Sequence, residues 1–472
     1  MADLLDDAEP ASIFAPALRS ATLGLLIVIT LIAFEEMAVS TALPTAARDL
    51  HGVGSYGFAF TGFLVANIVG MVASGRRSDR AGPAGPIAVG IVGFVIGLVL
   101  AGTATTMTQL IAGRVVQGLA GGLMITASYV VIAQAYSDRL RPKVFAATSS
   151  AWVVPSLVGP LIAGSLAQHV SWRWVFYGLV PFTLLGAALI APVLRRLHGA
   201  AIRHEVEGGT TLPQAVAVAV GVGALGLIAE HPSVPWLCTL PVWVVLAGWG
   251  LRALLPRGTF VVRPGVPAPI ALRGLLAGSF FGVESLVPLS LTVQHHFGAT
   301  AAGLPLAVSG LSWATGSFWQ GRAVADDSTA RRVALMRAGF SCVTLALVGM
   351  AVTALPSSPG WPAYPSWLVG GLGMGLTMSS LSVTLLRFSS PARHGADAGA
   401  LQLADATGSA LTTAVGGMAV AGAARGVLGY TSAFVAVDLT MAAIALLGLL
   451  VAGRARPAVP VDTATPVEPL AA

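Results

Sequence analysis

Apolar runs about twenty residues long recur from one end of this chain to the other, and each is long enough to cross a bilayer as a helix. They fall at about residues 21–43, 56–75, 86–105, 108–135, 145–168, 173–193, 212–230, 234–255, 268–294, 300–322, 330–355, 363–387, 397–423 and 430–453. Only 10% of the 472 residues are charged and 55% are hydrophobic, whereas soluble domains carry about a quarter charged residues. The expected fold class is therefore an all-α integral membrane protein with about fourteen transmembrane helices. The acidic start, Met1 to Glu9, lacks the basic segment of a signal peptide, so the first span is expected to stay as an anchor.

Basic residues then orient the spans. With the N-terminus inside, the inner loops hold Arg76, Arg77 and Arg80, then Arg139, Arg141 and Lys143, then Arg195, Arg196 and Arg203, and the later loops and tail continue the series. The outer side keeps Arg48, Arg173 and Arg425. This bias predicts cytoplasmic termini in the inner (plasma) membrane of a cell. It also gives the basic composition a topological meaning, with no nucleic-acid partner implied. The single lysine, Lys143, does not end a Gly-x-x-x-x-Gly-Lys motif, so no nucleotide-driven motor is encoded. Cys238 and Cys342 lie in apolar stretches and read as small hydrophobes.

A permanently charged residue, Arg114, interrupts the fourth run. An arginine at mid-membrane costs a few kcal/mol, about 2.5–3.5 on insertion scales, and normally faces a polar cavity or pairs with an acid. Arg114, Gln117, Gly118 and Gly121 follow i, i+3, i+4, i+7 spacing and share one face. Small residues on that face admit a neighbouring backbone. The competing reading is an arginine snorkelling from a helix end.

Carboxylates occur inside four other spans: Glu35 and Glu36 in the first, Glu284 in the ninth, Asp405 in the thirteenth and Asp438 in the fourteenth. A desolvated carboxyl holds a proton until a cation arrives, which is the property that proton-for-cation exchange requires. Glu35 and Glu36 are about 100° apart on a helix; Glu36 shares its face with Ser40, so helical phase prefers Glu36 as cavity-facing. Glu284 follows Phe281 and precedes Pro288 on a kink-prone helix, where it is either functional or a structural hydrogen bonder. Gln402, Asp405, Ser409, Thr412 and Gly416 form one polar stripe, read as the wall of a water-filled cavity or as a seam of interhelical hydrogen bonds. Asp438 has apolar neighbours and is left out.

Two further patterns bear on movement. Gly75-Arg-Arg-Ser-Asp79-Arg80-Ala-Gly82 lies between spans two and three, where Asp79 can cap a helix or pair with an arginine across a domain interface. In span five Pro155, Gly159, Pro160 and Gly164 stand at helical spacing, as a bent pivot with a close neighbour requires. An internal repeat accompanies them. Phe34-Glu-Glu36 ahead of Pro44 is echoed by Phe281-Gly-Val-Glu284 ahead of Pro288, and Gly118-Leu-Ala-Gly-Gly-Leu-Met124 by Gly370-Gly-Leu-Gly-Met-Gly-Leu376.

Taken together, these motifs resemble the fourteen-span drug:proton antiporters of the major facilitator superfamily. The loop motif Gly-x-x-x-Asp-Arg-x-Gly maps to Gly75, Asp79, Arg80 and Gly82, with Pro83-Ala84 where the family continues with basic residues. Arg-x-x-Gln-Gly maps to Arg114, Gln117 and Gly118, which the resemblance links to proton coupling. The antiporter motif maps to Pro155, Gly159, Pro160, Ala163 and Gly164, with Pro155 and Ala163 departing from glycine. Counting back from Pro44 puts the family's first-helix acid at Glu35, whereas helical phase prefers Glu36, and both stay open. The resemblance implies the major facilitator fold: two six-helix pseudo-repeats plus two inserted helices. Its expected division is a cytoplasmic segment 1–20, a six-helix half 21–193, a linker with the inserted pair 194–265, a second half 266–453 and a disordered tail 454–472.

The function so implied is a proton-coupled antiporter exporting amphipathic, cationic small molecules or drugs by alternating access. It would work as a monomer in the lipid bilayer, with no cofactor beyond the proton gradient as coupling ion. Glu35, Glu36, Arg114, Gln117, Glu284, Gln402 and Asp405 are the candidates for proton and substrate, and no metal or catalytic residue is expected. A dedicated exporter of a lipid or secreted metabolite is the alternative. An enzyme is not expected, because neither His-x-x-x-His nor Gly-x-Ser-x-Gly occurs. A membrane scaffold would give the buried acids no purpose.

Overall fold

The computed structural model describes residues 12–137, 140–151, 153–197, 212–230, 234–323, 328–390 and 393–457. Within these the regular structure is helical: α1 (Pro16–Asp49), α2 (Tyr56–Ala81), α3 (Ala84–Gly102), α4 (Met107–Ala135), α5 (Arg141–Ser150), α6 (Val153–His169), α7 (Arg173–Tyr177) and α8 (Leu179–Arg196) come first. They are followed by α9 (Leu212–Glu230), α10 (Val234–Leu254), α11 (Pro267–Glu284), α12 (Val287–Gln294), α13 (Ala299–Ala323), α14 (Thr329–Thr353), α15 (Ala363–Phe388), α16 (His394–Ala424) and α17 (Tyr430–Val451). The first eleven residues, most of the stretch between α8 and α9, and the tail beyond Pro457 lie outside the described residues; of the expected N-terminal segment the described part enters α1 at Pro16, and of the tail expected to be disordered the described part is held, Arg454 Nη1 donating to the carbonyl of Val261 at 2.7 Å.

Among the described residues nine helices are long and apolar enough to cross a membrane, counting α7 with α8 and α11 with α12 as single spans. Two shorter apolar helices cover Leu212–Ile228 and Cys238–Leu254. The remaining expected spans form helices whose character differs from that expectation. The run at 145–168 is split between α5 and α6, and α13 and α16 carry serines, threonines and glutamines that lower their hydropathy.

Proline positions explain the splits. A proline removes the bond to the carbonyl four residues back and crowds it. The break before α6 falls at Ala151, four residues ahead of Pro155. That between α7 and α8 follows Tyr177, four ahead of Pro181, and that between α11 and α12 follows Glu284, four ahead of Pro288. The kink foreseen for the ninth span is thus a complete interruption at Ser285–Leu286.

Packing repeats along the chain. In the first part α4 packs on α2 and α3, and α1 on α6 and α8; in the second α15 packs on α13 and α14, and α11 on α16 and α17. The echo of glycines has a geometric cause. A Cβ on Gly118 or Gly122 would lie 2.1 and 2.2 Å from the carbonyls of Phe63 and Asn67 in α2, and one on Gly371 or Gly375 would lie 2.2 Å from those of Ser309 and Trp313 in α13. Backbones that close leave room for hydrogen alone.

The two sets of helices meet along α6 with α13 and α2 with α16. At the end carrying Asp49 the seam is tight. Tyr56 donates to the carbonyl of Ser285 at 2.7 Å, Thr300 donates to Gln168 Oε1 at 3.2 Å, and a Cβ on Gly303 would lie 2.4 Å from Thr41. The expected inserted pair is placed unevenly. α9 packs against α2 and α16 at the seam as well as on α10, while α10 turns Val242, Val244, Val245 and Trp249 outward.

Candidate proton and substrate site

Arg114 is buried, with 1% of its surface exposed, and its guanidinium is surrounded by three helices. Nη1 donates to Glu35 of α1 and, at 3.3 Å, to Gln117 one turn along α4; Nε donates to the carbonyl of Ala59 in α2 at 3.4 Å. The ring of Phe63 lies 4.3 Å below it. The glycine face that brings α4 against α2 is therefore also what buries the charge, and an acid from α1 balances it. Glu35 is fully buried, and its second oxygen has no hydrogen-bond partner among the described residues.

Glu36 turns the other way. It is half-buried and lies within electrostatic reach of Asp405 on α16, and Glu284 at the end of α11 lies within reach of Glu36. The two neighbouring glutamates thus serve different surroundings, as their 100° separation requires. Glu284 is 7% exposed at the interrupted helix. Beside it Phe281, Phe280 and Trp313 form an aromatic group, with ring centroids 5.7 to 6.3 Å apart.

Asp405 is paired. Arg273 of α11 reaches its Oδ2 through Nε at 2.8 Å and through Nη2 at 2.7 Å. Gln402, one turn earlier on α16, is hydrogen-bonded to Tyr129 of α4. Sequence reasoning missed both Arg273 and Tyr129. Arg273 stands 11 residues before Glu284, which is about three turns and so the same helix face; a charge inside an apolar run was the available signal. A tyrosine among apolar residues carries none.

The polar stripe of α16 is divided. Gln402 and Asp405 reach other helices through their side chains. Ser409 and Thr412, by contrast, donate to carbonyls of their own helix at 2.9 Å, and a Cβ on Gly416 would lie 2.9 Å from Leu286. Its latter half packs against Gly278 and Gly282 of α11 and against Leu286. Asp438, buried on α17, forms no ion pair or side-chain hydrogen bond among the described residues.

The two motion motifs lie apart from these acids. Gly82 ends α2 at φ +81°, its N–H bonded to Ser78 at 2.8 Å. Asp79 and Arg80 are exposed. α3 begins without a side-chain cap, and among the described residues Asp79 forms no ion pair. Gly75 has open space around it. On α6, Pro155 and Pro160 are buried, Gly159 packs on Met37 of α1, and a Cβ on Gly164 would lie 2.7 Å from Thr300 of α13. Among the described residues no group of three His, Cys, Asp or Glu side chains could hold a metal ion.

Residues 25–413 match the Major Facilitator Superfamily. The chain belongs to that superfamily. It is accordingly a multi-pass membrane transporter, and its superfamily and relatives are transporters rather than enzymes. One relative, the MFS transporter L2 of a Phoma species, is 27% identical over 432 residues, covering 86% of this chain and 70% of that protein. Multidrug resistance protein 3 of Bacillus subtilis is 25% identical over 302 residues, covering 60% of this chain and 57% of that protein. A solved POT family transporter in complex with 5-aminolevulinic acid has the same fold, with a TM-score of 0.65 at 14% identity over 92% of this chain and 96% of that one. Superfamily membership accounts for the repeated packing.

Proposed function

We propose that this protein is a proton-coupled exporter of amphipathic cations. It works by alternating access of two six-helix halves within a fourteen-span topology, with both termini in the cytoplasm and the chain in the inner (plasma) membrane as a monomer. The observation that carries this reading is the approach of Glu36 in the first set of helices to Glu284 in the second. Two carboxyls that feel each other's charge hold protons readily and give them up to an arriving cation. Phe281 and Trp313 beside Glu284 suit an aromatic cation, since ring faces attract positive charge. Arg114 and Glu35 form the neutral pair behind Glu36 that keeps the buried charge balanced. A relative named as a multidrug resistance protein agrees with this substrate class. A membrane potential of 100 mV adds about 2.3 kcal/mol per charge moved, which is roughly a fiftyfold gradient.

The test is ethidium efflux from proteoliposomes under an imposed pH gradient. Wild type is expected to move the dye, and Glu36→Gln and Glu284→Gln are each expected to abolish gradient-driven movement while the protein remains folded. Folded wild type that moves no dye in either direction would end this reading in favour of a dedicated carrier of a lipid or metabolite.

A further inference from the structure

Arg273 takes no part in the exchange set out above, yet it is buried, with 9% of its surface exposed. Two of its nitrogens converge on one oxygen of Asp405, at 2.7 and 2.8 Å, and the third lies 3.4 Å from Ser382 Oγ on α15. A guanidinium stays charged under all ordinary conditions, so this geometry holds a fixed positive charge against the Asp405 carboxylate. Each set of helices thus contains one arginine–carboxylate pair, Arg114 with Glu35 and Arg273 with Asp405.

Glu36 lies within electrostatic reach of both Glu284 and Asp405. Arg273 sets a positive charge against Asp405, whereas among the described residues Glu36 and Glu284 have no such partner. Two like carboxyls close together do not both ionise cheaply and tend to share a proton, which leaves one negative charge for the substrate. Without Arg273 the site would hold a further anion next to Glu36.

We propose that Arg273, acting through Asp405 as a positioning residue, sets the charge class of the substrate and restricts the site to singly charged organic cations. This rests on the reading that Glu36 and Glu284 receive the cation. Ethidium and propidium share one aromatic ring system and carry one and two positive charges. Their binding to the purified full chain is read by fluorescence, and their gradient-driven movement is read in proteoliposomes.

Wild type is expected to prefer ethidium at least tenfold. Arg273→Gln is expected to shift the ratio at least tenfold towards propidium, Arg273→Lys to keep the wild-type ratio, and Arg273→Gln with Asp405→Asn to restore it. Asp405→Asn alone, which frees a guanidinium beside the acids, is expected to weaken propidium more than ethidium, so the proposal stays testable if Arg273→Gln does not fold. Equal loss of both dyes in Arg273→Gln, with the ratio unmoved, would show a structural role only and overturn the inference. So would wild type that takes both dyes alike. Wild type that binds neither dye removes the exporter reading and this inference together, whereas ethidium binding with an unmoved ratio removes the inference alone.

Discussion

Replacing Arg114 with glutamine strands Glu35 in a fully buried position, and an unpaired buried charge costs about 3–5 kcal/mol. Thermal unfolding in detergent is expected to show a large loss of stability for Arg114→Gln. The double variant with Glu35→Gln is expected to recover most of it, because neither partner is then left charged. An additive double variant would refute the pairing. This pair also shows what was legible in the primary structure. An arginine inside an apolar run demanded an acid, and Glu35 and Glu36 were both offered, one by counting from Pro44 and one by helical phase. Each has a distinct neighbour in the folded chain, Arg114 for the first and Asp405 for the second. Arg273 obeys the same logic and escaped it, because a charge six residues inside a run reads as a helix end until its partner is seen 132 residues away.

At the scale of helices, glycine marks contact where the facing atom is a backbone carbonyl. Gly118→Ala and Gly371→Ala each place a methyl about 2 Å from such an oxygen, and overpacking of this kind costs about 1–3 kcal/mol. Both are expected to lower the melting temperature, whereas Gly75→Ala, which meets nothing, is expected to leave it within experimental error or raise it slightly. Equal melting temperatures for all three would overturn the contact argument. The glycine echo between the fourth and twelfth runs was readable because close approach needs small residues at fixed spacing. The stripe on α16 was harder. Hydroxyls on one face look the same whether they meet water or bond their own helix, and Ser409 and Thr412 do the latter. At Pro155, Pro181 and Pro288 the chain breaks four residues earlier, where the lost hydrogen bond would have ended, whereas Pro44, Pro160, Pro192, Pro241 and Pro305 stand inside continuous helices.

For the molecule as a whole, Thr300 and Gln168 join the two sets of helices at the end carrying Asp49. If the sets rock apart during each cycle, cysteines at 168 and 300 joined by a short thiol cross-linker are expected to stop transport, and cleaving the linker to restore it. Cys238 and Cys342, both free thiols, would first be replaced by alanine. Transport unaffected by the cross-link would exclude movement at this seam. The succession of apolar helices followed from hydropathy, but hydropathy could not rank the seams, since tightness there depends on Gly164 and Gly303 meeting particular atoms of Thr300 and Thr41. The position of α9 against α2 and α16 has a further consequence. An oily solute drifting sideways through the bilayer meets a walled flank where α9 and α10 stand, and a bare junction of α6 with α13 on the other. Any lateral entry from the lipid would thereby be handed, favouring the flank on which, among the described residues, no such pair of helices packs.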